Sequence, residues 1–302
     1  MLDNLKLITT NPDIIHRLSL ENKFPRVRPP NNNYLSFGVY GNMLRLDFRK
    51  VMQYGNLIGF GSLAVNISPH YHFNNYLHNG NDLTPEDCMN SIVTILNSIG
   101  ITKSEYLDFK VVNIEFGVNI IPDMGIENII EGILYHRKTP FRIKGFPYFK
   151  KSDATEFKQI KAYAKGIQFI NNPEYGIDKD MFRYEVRTKQ TKNIYRYGIY
   201  TVNDLLNPEV YNTLCGELVN EWESMLIVNI NPVTDNINSK NVQFLTKAKN
   251  CEFWQELIKE KHRNTFNLNK RKYYKTLSVE NNLHTHLKCK IIDKVISLQN
   301  ST

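Results

Sequence analysis

Leu44, Leu46 and Phe48 alternate with Arg45 and Asp47, a period of two that predicts a half-buried strand. Leu63, Val65 and Ile67 repeat the pattern after Gly59 and Gly61, and Ser68-Pro69 ends it, because proline cannot donate to a ladder. From Val112 to Ile120 the alternation is nearly unbroken: Val112, Ile114, Phe116, Val118 and Ile120 share one side, and Asn113, Glu115, Gly117 and Asn119 the other. Two later strands are predicted. Over residues 160–166 Lys161, Tyr163 and Lys165 share a face, and over residues 182–187 Arg183, Glu185 and Arg187 do. A loop, Asn171 to Gly176, connects them.

Other segments carry helical signals. Thr84-Pro85-Glu86-Asp87 offers an N-cap, a proline at the first position and an acid at the third. Met89, Ile92, Val93, Leu96 and Ile99 then form an apolar face, with Gly100 as the stop. A second helix is expected from Ile126 to Leu134, packed through Ile126, Ile129, Ile130 and Ile133. Thr201 and Asp204 resemble a capping box, and Leu214, Leu218, Trp222 and Met225 make a helical stripe. Beyond the boundary at Asn231-Pro232, residues 240 to 300 read as short helices rich in Lys and Asn. The order implies an α+β fold, a largely antiparallel sheet with flanking helices, followed by a helical C-terminal region. The expected division is residues 1–230 and 231–302.

Composition narrows the function classes. With 302 residues and 41% hydrophobic content, the chain can bury a sizeable core. Cys88, Cys215, Cys251 and Cys289 form no CxxC pair, which argues against a zinc ribbon and a disulfide framework and for reduced thiols in the cytoplasm. No apolar run reaches signal-peptide or bilayer length, so no membrane partner is expected. The net charge of +8 favours a polyanion. One basic run extends from Arg137 to Lys165 and leads into the best catalytic candidate; a second contains Lys270, Arg271, Lys272 and Lys275 beside Tyr273 and Tyr274.

If the polar strand faces adjoin, they gather two carboxylates, a phenol and several cations, a set suited to phosphodiester chemistry. Glu115 and Glu185 are hard oxygen ligands for Mg²⁺ or Mn²⁺. Tyr163 is a nucleophile whose phenolate Lys161 and Lys165 would stabilise, and Arg183 and Arg187 suit phosphate oxygens. Each has a plainer reading: Glu115 as a paired strand residue, Arg183-Glu185-Arg187 as an exposed ion-pair ladder, and Tyr163 as one structural tyrosine among 17. His70-Tyr71-His72 is a rival metal site, with both imidazoles on one side if extended, although Pro69 precedes it.

Four blocks between about residue 60 and about residue 230 resemble the gene II replication proteins of filamentous phages and, more remotely, the rolling-circle initiators of small staphylococcal-type plasmids. They are Val65-Asn66-Ile67-Ser68-Pro69 with Leu77-His78-Asn79, then Asn113-Ile114-Glu115-Phe116, then Ala162-Tyr163-Ala164-Lys165, then Phe182-Arg183-Tyr184-Glu185-Val186-Arg187. The resemblance implies a replication initiator that nicks one DNA strand through Tyr163, forms a 5′-phosphotyrosine and later rejoins the strand. It also implies a metal held by Glu115 and Glu185, with His78 as a third ligand ahead of His70 and His72. Single-stranded or melted origin DNA would be the partner, with a host helicase a further candidate, in the cytoplasm of a bacterial host. Glu115 stands where the family has Asp, and Asn113 where it has Arg. Two alternatives stand beside this: a relaxase or single-strand transposase of the same chemistry, and a non-catalytic DNA-binding protein on the same fold.

Overall fold

The computed structural model describes the chain except residues 144–148, 154, 156–157, 235–236, 260–261, 263, 278–281 and 301–302, and it omits the side chains of residues 149 and 151–153. The first strands are β1 (Leu2–Thr9), β2 (Tyr34–Val39), β3 (Leu44–Gln53), β4 (Asn56–Ile67) and β5 (Lys110–Ile120). Then come β6 (Ile133–His136), β7 (Thr139–Pro140), β8 (Arg142–Ile143), β9 (Phe149–Asp153), β10 (Lys158–Ala164), β11 (Phe182–Thr188) and β12 (Met225–Ile227). Interleaved with them are α1 (Pro12–Glu21), α2 (Pro69–Phe73), α3 (Pro85–Ser98), α4 (Ile126–Gly132), α5 (Lys165–Gln168), α6 (Thr191–Tyr195) and α7 (Pro208–Glu223). Helices α8 (Ser239–Ala248), α9 (Cys251–Lys259), α10 (Thr265–Thr276) and α11 (Leu283–Asn300) close the chain. The fold is α+β, as the sequence predicts. Among the described residues no helix is long and apolar enough to cross a membrane.

The strand order is β2-β3-β4-β1-β5 in one part of the chain and β11-β10-β9-β8 in another, and a small sheet has β12-β6-β7. The chain forms two compact units. The first is Met1–Gly117, Arg187–Gly216 and Ser297–Thr302, and the second is Val118–Val186 and Glu217–Ile296.

In the first unit, β1 to β4 pair antiparallel and bury Leu5, Leu7, Leu46, Phe48, Leu63, Val65 and Ile67. Thr84 caps α3 as expected, accepting from the Asp87 backbone N–H. Its buried face is rotated from the expected one: Cys88, Ile92, Ile95 and Leu96 are inside, whereas Met89, Val93 and Ile99 are half-buried. Two bulges break the β1–β5 ladder. Leu2 pairs with Phe116 but Asn4 with Glu115, which leaves Asp3 as an extra residue on β1. Lys6 pairs with Asn113 but Leu7 with Val111, so Val112 is extra on β5 and Val111 takes the core place that strict alternation gives to Val112.

In the second unit, α4 stops at Gly132 rather than Leu134, and Ile133 begins β6. A Cβ on Gly132 would run into the Val228 carbonyl oxygen, and the Gly132 carbonyl accepts from the Val228 N–H at 2.9 Å. Gly132→Ala is therefore expected to cost about 1–3 kcal/mol in urea unfolding through overpacking; an unchanged midpoint would contradict this close approach. Met225 similarly leaves the helical stripe and starts β12. Helices α8 to α10 pack Leu245, Ala248, Trp254, Phe266 and Tyr273 against Tyr135, Leu226 and Val228.

Candidate active site

Strand β10 turns Ile160, Ala162 and Ala164 to the core and Lys161 and Tyr163 to the opposite face. The strand ends there, and Lys165 opens α5 instead of continuing the face as expected. The reason is Gly166: its N–H bonds the Met181 carbonyl at 3.1 Å, and a Cβ would collide with the Asp178 and Lys179 carbonyls. The turn still delivers Lys165, whose Nζ lies 3.5 Å from the Tyr163 hydroxyl and 3.1 Å from Gln168 Oε1.

On β11 the face reads as predicted. Phe182, Tyr184 and Val186 are core, and Arg183 and Glu185 lie opposite. The Tyr163 hydroxyl donates to Glu185 Oε1 at 2.8 Å. Arg183 Nε donates to the same oxygen at 2.5 Å, and Lys161 Nζ stands 3.2 Å from Oε2. Arg183 Nη1 also donates to Asn119 Oδ1 at 2.6 Å. Tyr163 is 6% exposed, Lys165 and Arg183 1%, and Glu185 2%. This is a desolvated phenol–carboxylate pair ringed by three cations, not an exposed ion-pair ladder. Tyr184 is on the other sheet face, buried 5.0 Å from Trp222 between ring centroids, and burial pushes its phenol well up. It is not a partner for Tyr163 chemistry.

The first unit holds a second acidic group. Asp3 and Glu115, both buried, bring carboxylate oxygens within 4.8 Å of one another. Bulging re-aims Asp3 from the side of Leu5 and Leu7 toward that of Glu115. Asp3 Oδ1 lies 3.1 Å from His70 Nδ1 and accepts from Asn79 Nδ2 at 3.4 Å. Arg187 Nε stands 3.3 Å from Glu115 Oε2 and 3.4 Å from Asn113 Oδ1. The all-oxygen donor pair suits a hard divalent ion such as Mg²⁺ or Mn²⁺.

The histidines fall differently from expectation. His70 and His72 lie on the one-turn helix α2, not on a strand, so they do not share a side. Both ring nitrogens of His70 are engaged, one by Asp3 and the other by Asn81 Oδ1 at 3.0 Å, and it therefore positions Asp3. His72 packs edge-on against Tyr76, and burial lowers its pKa. His78, preferred as a ligand from sequence, accepts from the Gly80 N–H at 3.4 Å, and Asp3 is an acidic neighbour of Glu115 that the sequence reading did not name. Asp3 escaped the sequence reading because strict alternation places it with Leu5 and Leu7.

The basic run from Arg137 to Lys165 is not one surface. Arg137, Lys138 and Arg142 are exposed. Lys150 caps α4 by donating to the Glu131 and Ile133 carbonyls, and burial lowers it to about 8. Lys158 joins a buried network, in which its Nζ lies 2.6 Å from Glu217 and 2.7 Å from Glu221. Lys144 and the Lys151 side chain lie outside the described residues.

Neither a scan against protein-family models nor a search of the curated proteins finds a match to this chain.

Proposed function

We propose that the chain is a metal-dependent tyrosine transesterase that nicks single-stranded DNA and later rejoins it, the activity of a rolling-circle replication initiator. The observation that carries the reading is the Tyr163 hydroxyl donating to Glu185 Oε1 at 2.8 Å, with Lys165 Nζ at 3.5 Å. A phenol is a weak nucleophile until its proton has an acceptor and its oxyanion a cation; Glu185 and Lys165 supply one each.

In the forward step the Tyr163 oxygen attacks phosphorus and Glu185 takes the phenolic proton. The P–O3′ bond breaks, the 3′ oxygen takes up a proton from solvent water and leaves as a hydroxyl, and the 5′ phosphate stays on Tyr163. Reversal by a 3′-hydroxyl rejoins the strand. Arg183 and Lys161 hold the Glu185 carboxylate in place. With so little of Tyr163 exposed, an unpaired strand suits the site better than a duplex.

Asp3 and Glu115, both in the first unit, form an acidic pair for one divalent ion. Such an ion would polarise a bound phosphate and offset its charge. Asp3→Asn is expected to weaken Mn²⁺ binding at least about ten-fold in calorimetry without DNA, since even partners of metal ligands cost that much. Equal affinity in the variant would remove Asp3 from the ion.

The functional test is incubation with Mn²⁺ and labelled single-stranded oligonucleotides drawn from the element that encodes the protein. A covalent protein–DNA band on a denaturing gel is expected. DNA binding without any such band, whatever the strand or metal, would leave a non-catalytic DNA-binding protein.

A further inference from the structure

The two basic runs of the sequence meet at one cavity. Arg137 and Lys138, which follow β6, and Lys270 and Arg271 of α10 line a space of about 1050 Å³ together with Glu223 and Tyr274. All six belong to the second unit. None of the residues around Tyr163 lines it.

Its electrostatics are one-sided. Four cations and one carboxylate line it; the carboxylate, Glu223, is ion-paired with Lys288, and Arg137 Nη2 lies 3.2 Å from Glu221 Oε1. Lys138 and Arg271 are exposed at the rim. Lys270 is half-buried; its Nζ donates to the Glu223 carbonyl at 2.8 Å and lies 5.9 Å from the centre of the Tyr274 ring. Burial holds Lys270 down at about 8, against the pull of Glu223. A half-buried ammonium in a cavity that two arginines also line gains most from an anion that satisfies several donors together. Phosphate does this, and the arginine fork matches it bidentately. The volume matches that of a pocket for a drug-sized ligand, and so exceeds what one phosphate needs.

We propose that this cavity binds the phosphates of a nucleic-acid strand, as an anchoring site separate from Tyr163. It rests on the nicking reading only in taking DNA as the polyanion. The site would hold the strand by its backbone and so be indifferent to base sequence.

The test reads binding, not cleavage. The Tyr163→Phe protein, which forms no adduct through that residue, is compared with the same protein carrying Lys138→Gln and Arg271→Gln. Both added substitutions are at exposed side chains, and a circular-dichroism melt checks that the fold is unchanged. The probe is a short fluorescent single-stranded oligonucleotide titrated by anisotropy at several salt concentrations. The added pair is expected to weaken binding about ten-fold or more. It should also reduce the slope of log K against log salt by about 1.4, two phosphates at about 0.7 each. Unchanged affinity and slope would overturn the proposal. Parallel titrations with inorganic phosphate and a nucleoside triphosphate separate the sources: if the pair abolishes their binding and spares the oligonucleotide, a strand is not the ligand. If wild type forms no adduct with any DNA but the pair still weakens oligonucleotide binding, the anchor stands and the nicking reading falls.

Discussion

Tyr163→Phe is expected to lower strand cleavage by about four orders of magnitude or more while leaving the protein folded. Removing a nucleophile takes away the bond-forming atom, and losses of that size follow elsewhere when one member of a catalytic unit is deleted. The structural cost is small by comparison. The hydrogen bond to Glu185, on the order of 1 kcal/mol, and the longer contact from Lys165 are lost, but the carboxylate keeps Arg183 and Lys161 and Lys165 keeps Gln168. Glu185→Gln should slow cleavage by about 10² to 10⁴, the usual contribution of a general base. Its rate should recover as pH rises, because hydroxide then takes the place of the missing base. Cleavage gels at a series of pH values read both effects. A Glu185→Gln profile parallel to wild type would make Glu185 a structural partner only, and full cleavage by Tyr163→Phe would move the nucleophile elsewhere.

Glu221→Ala is expected to destabilise the protein by about 3 kcal/mol, the low end for breaking a buried ion pair. Glu221 is 3% exposed. Its Oε2 lies 2.7 Å from His136 Nε2, and its Oε1 lies 2.7 Å from Lys158 Nζ and 3.2 Å from Arg137 Nη2. The low end applies because Lys158 keeps Glu217 at 2.6 Å. Burial alone would raise the Glu221 carboxyl, but the His136 and Lys158 hydrogen bonds and charges outweigh it and hold the group at about 2.

The sign of the pH dependence follows. A folded pKa depressed from 4.5 to about 2 gives stability that is present above pH 4.5 and lost as pH falls toward 2. Burial depresses His136 below 6.5 and His284 to about 4, so both histidines cost stability as the unfolded chain protonates below pH 6.5. Urea midpoints should therefore fall from pH 7 to pH 4, through the histidines first. In Glu221→Ala the further loss below about pH 4.5 should be smaller. A variant within about 0.5 kcal/mol of wild type at pH 7 would place Glu221 among ordinary surface residues and contradict the closed network.

The strand faces that carry chemistry were legible because alternation is a local property. Arg183 and Glu185 share a face, and Lys161 and Tyr163 share another, as spacing alone requires. What alternation cannot reveal is a one-residue insertion into a ladder. The β1 bulge hid Asp3, and the β5 bulge exchanged Val111 for Val112. Close backbone approaches were equally invisible: Gly132 and Gly166 read as ordinary helix and strand residues, yet neighbouring carbonyls forbid a Cβ at both. The reading of His70 and His72 as an extended pair failed for a third reason. Pro69 is as good at starting a helix as at stopping a strand, and starting α2 turned His70 toward Asp3. The pairing of Tyr163 with Glu185 joins residues on two strands, so only the shared polarity of their faces pointed to it.

The most direct test of the central claim is to trap the covalent complex with a labelled single strand, digest it and locate the nucleotide by mass spectrometry. A 5′-phosphoryl nucleotide on the peptide that contains Tyr163, with a free 3′-hydroxyl on the released strand, is the predicted result. A nucleotide on any other residue, or a 3′-phosphoryl linkage, would contradict it.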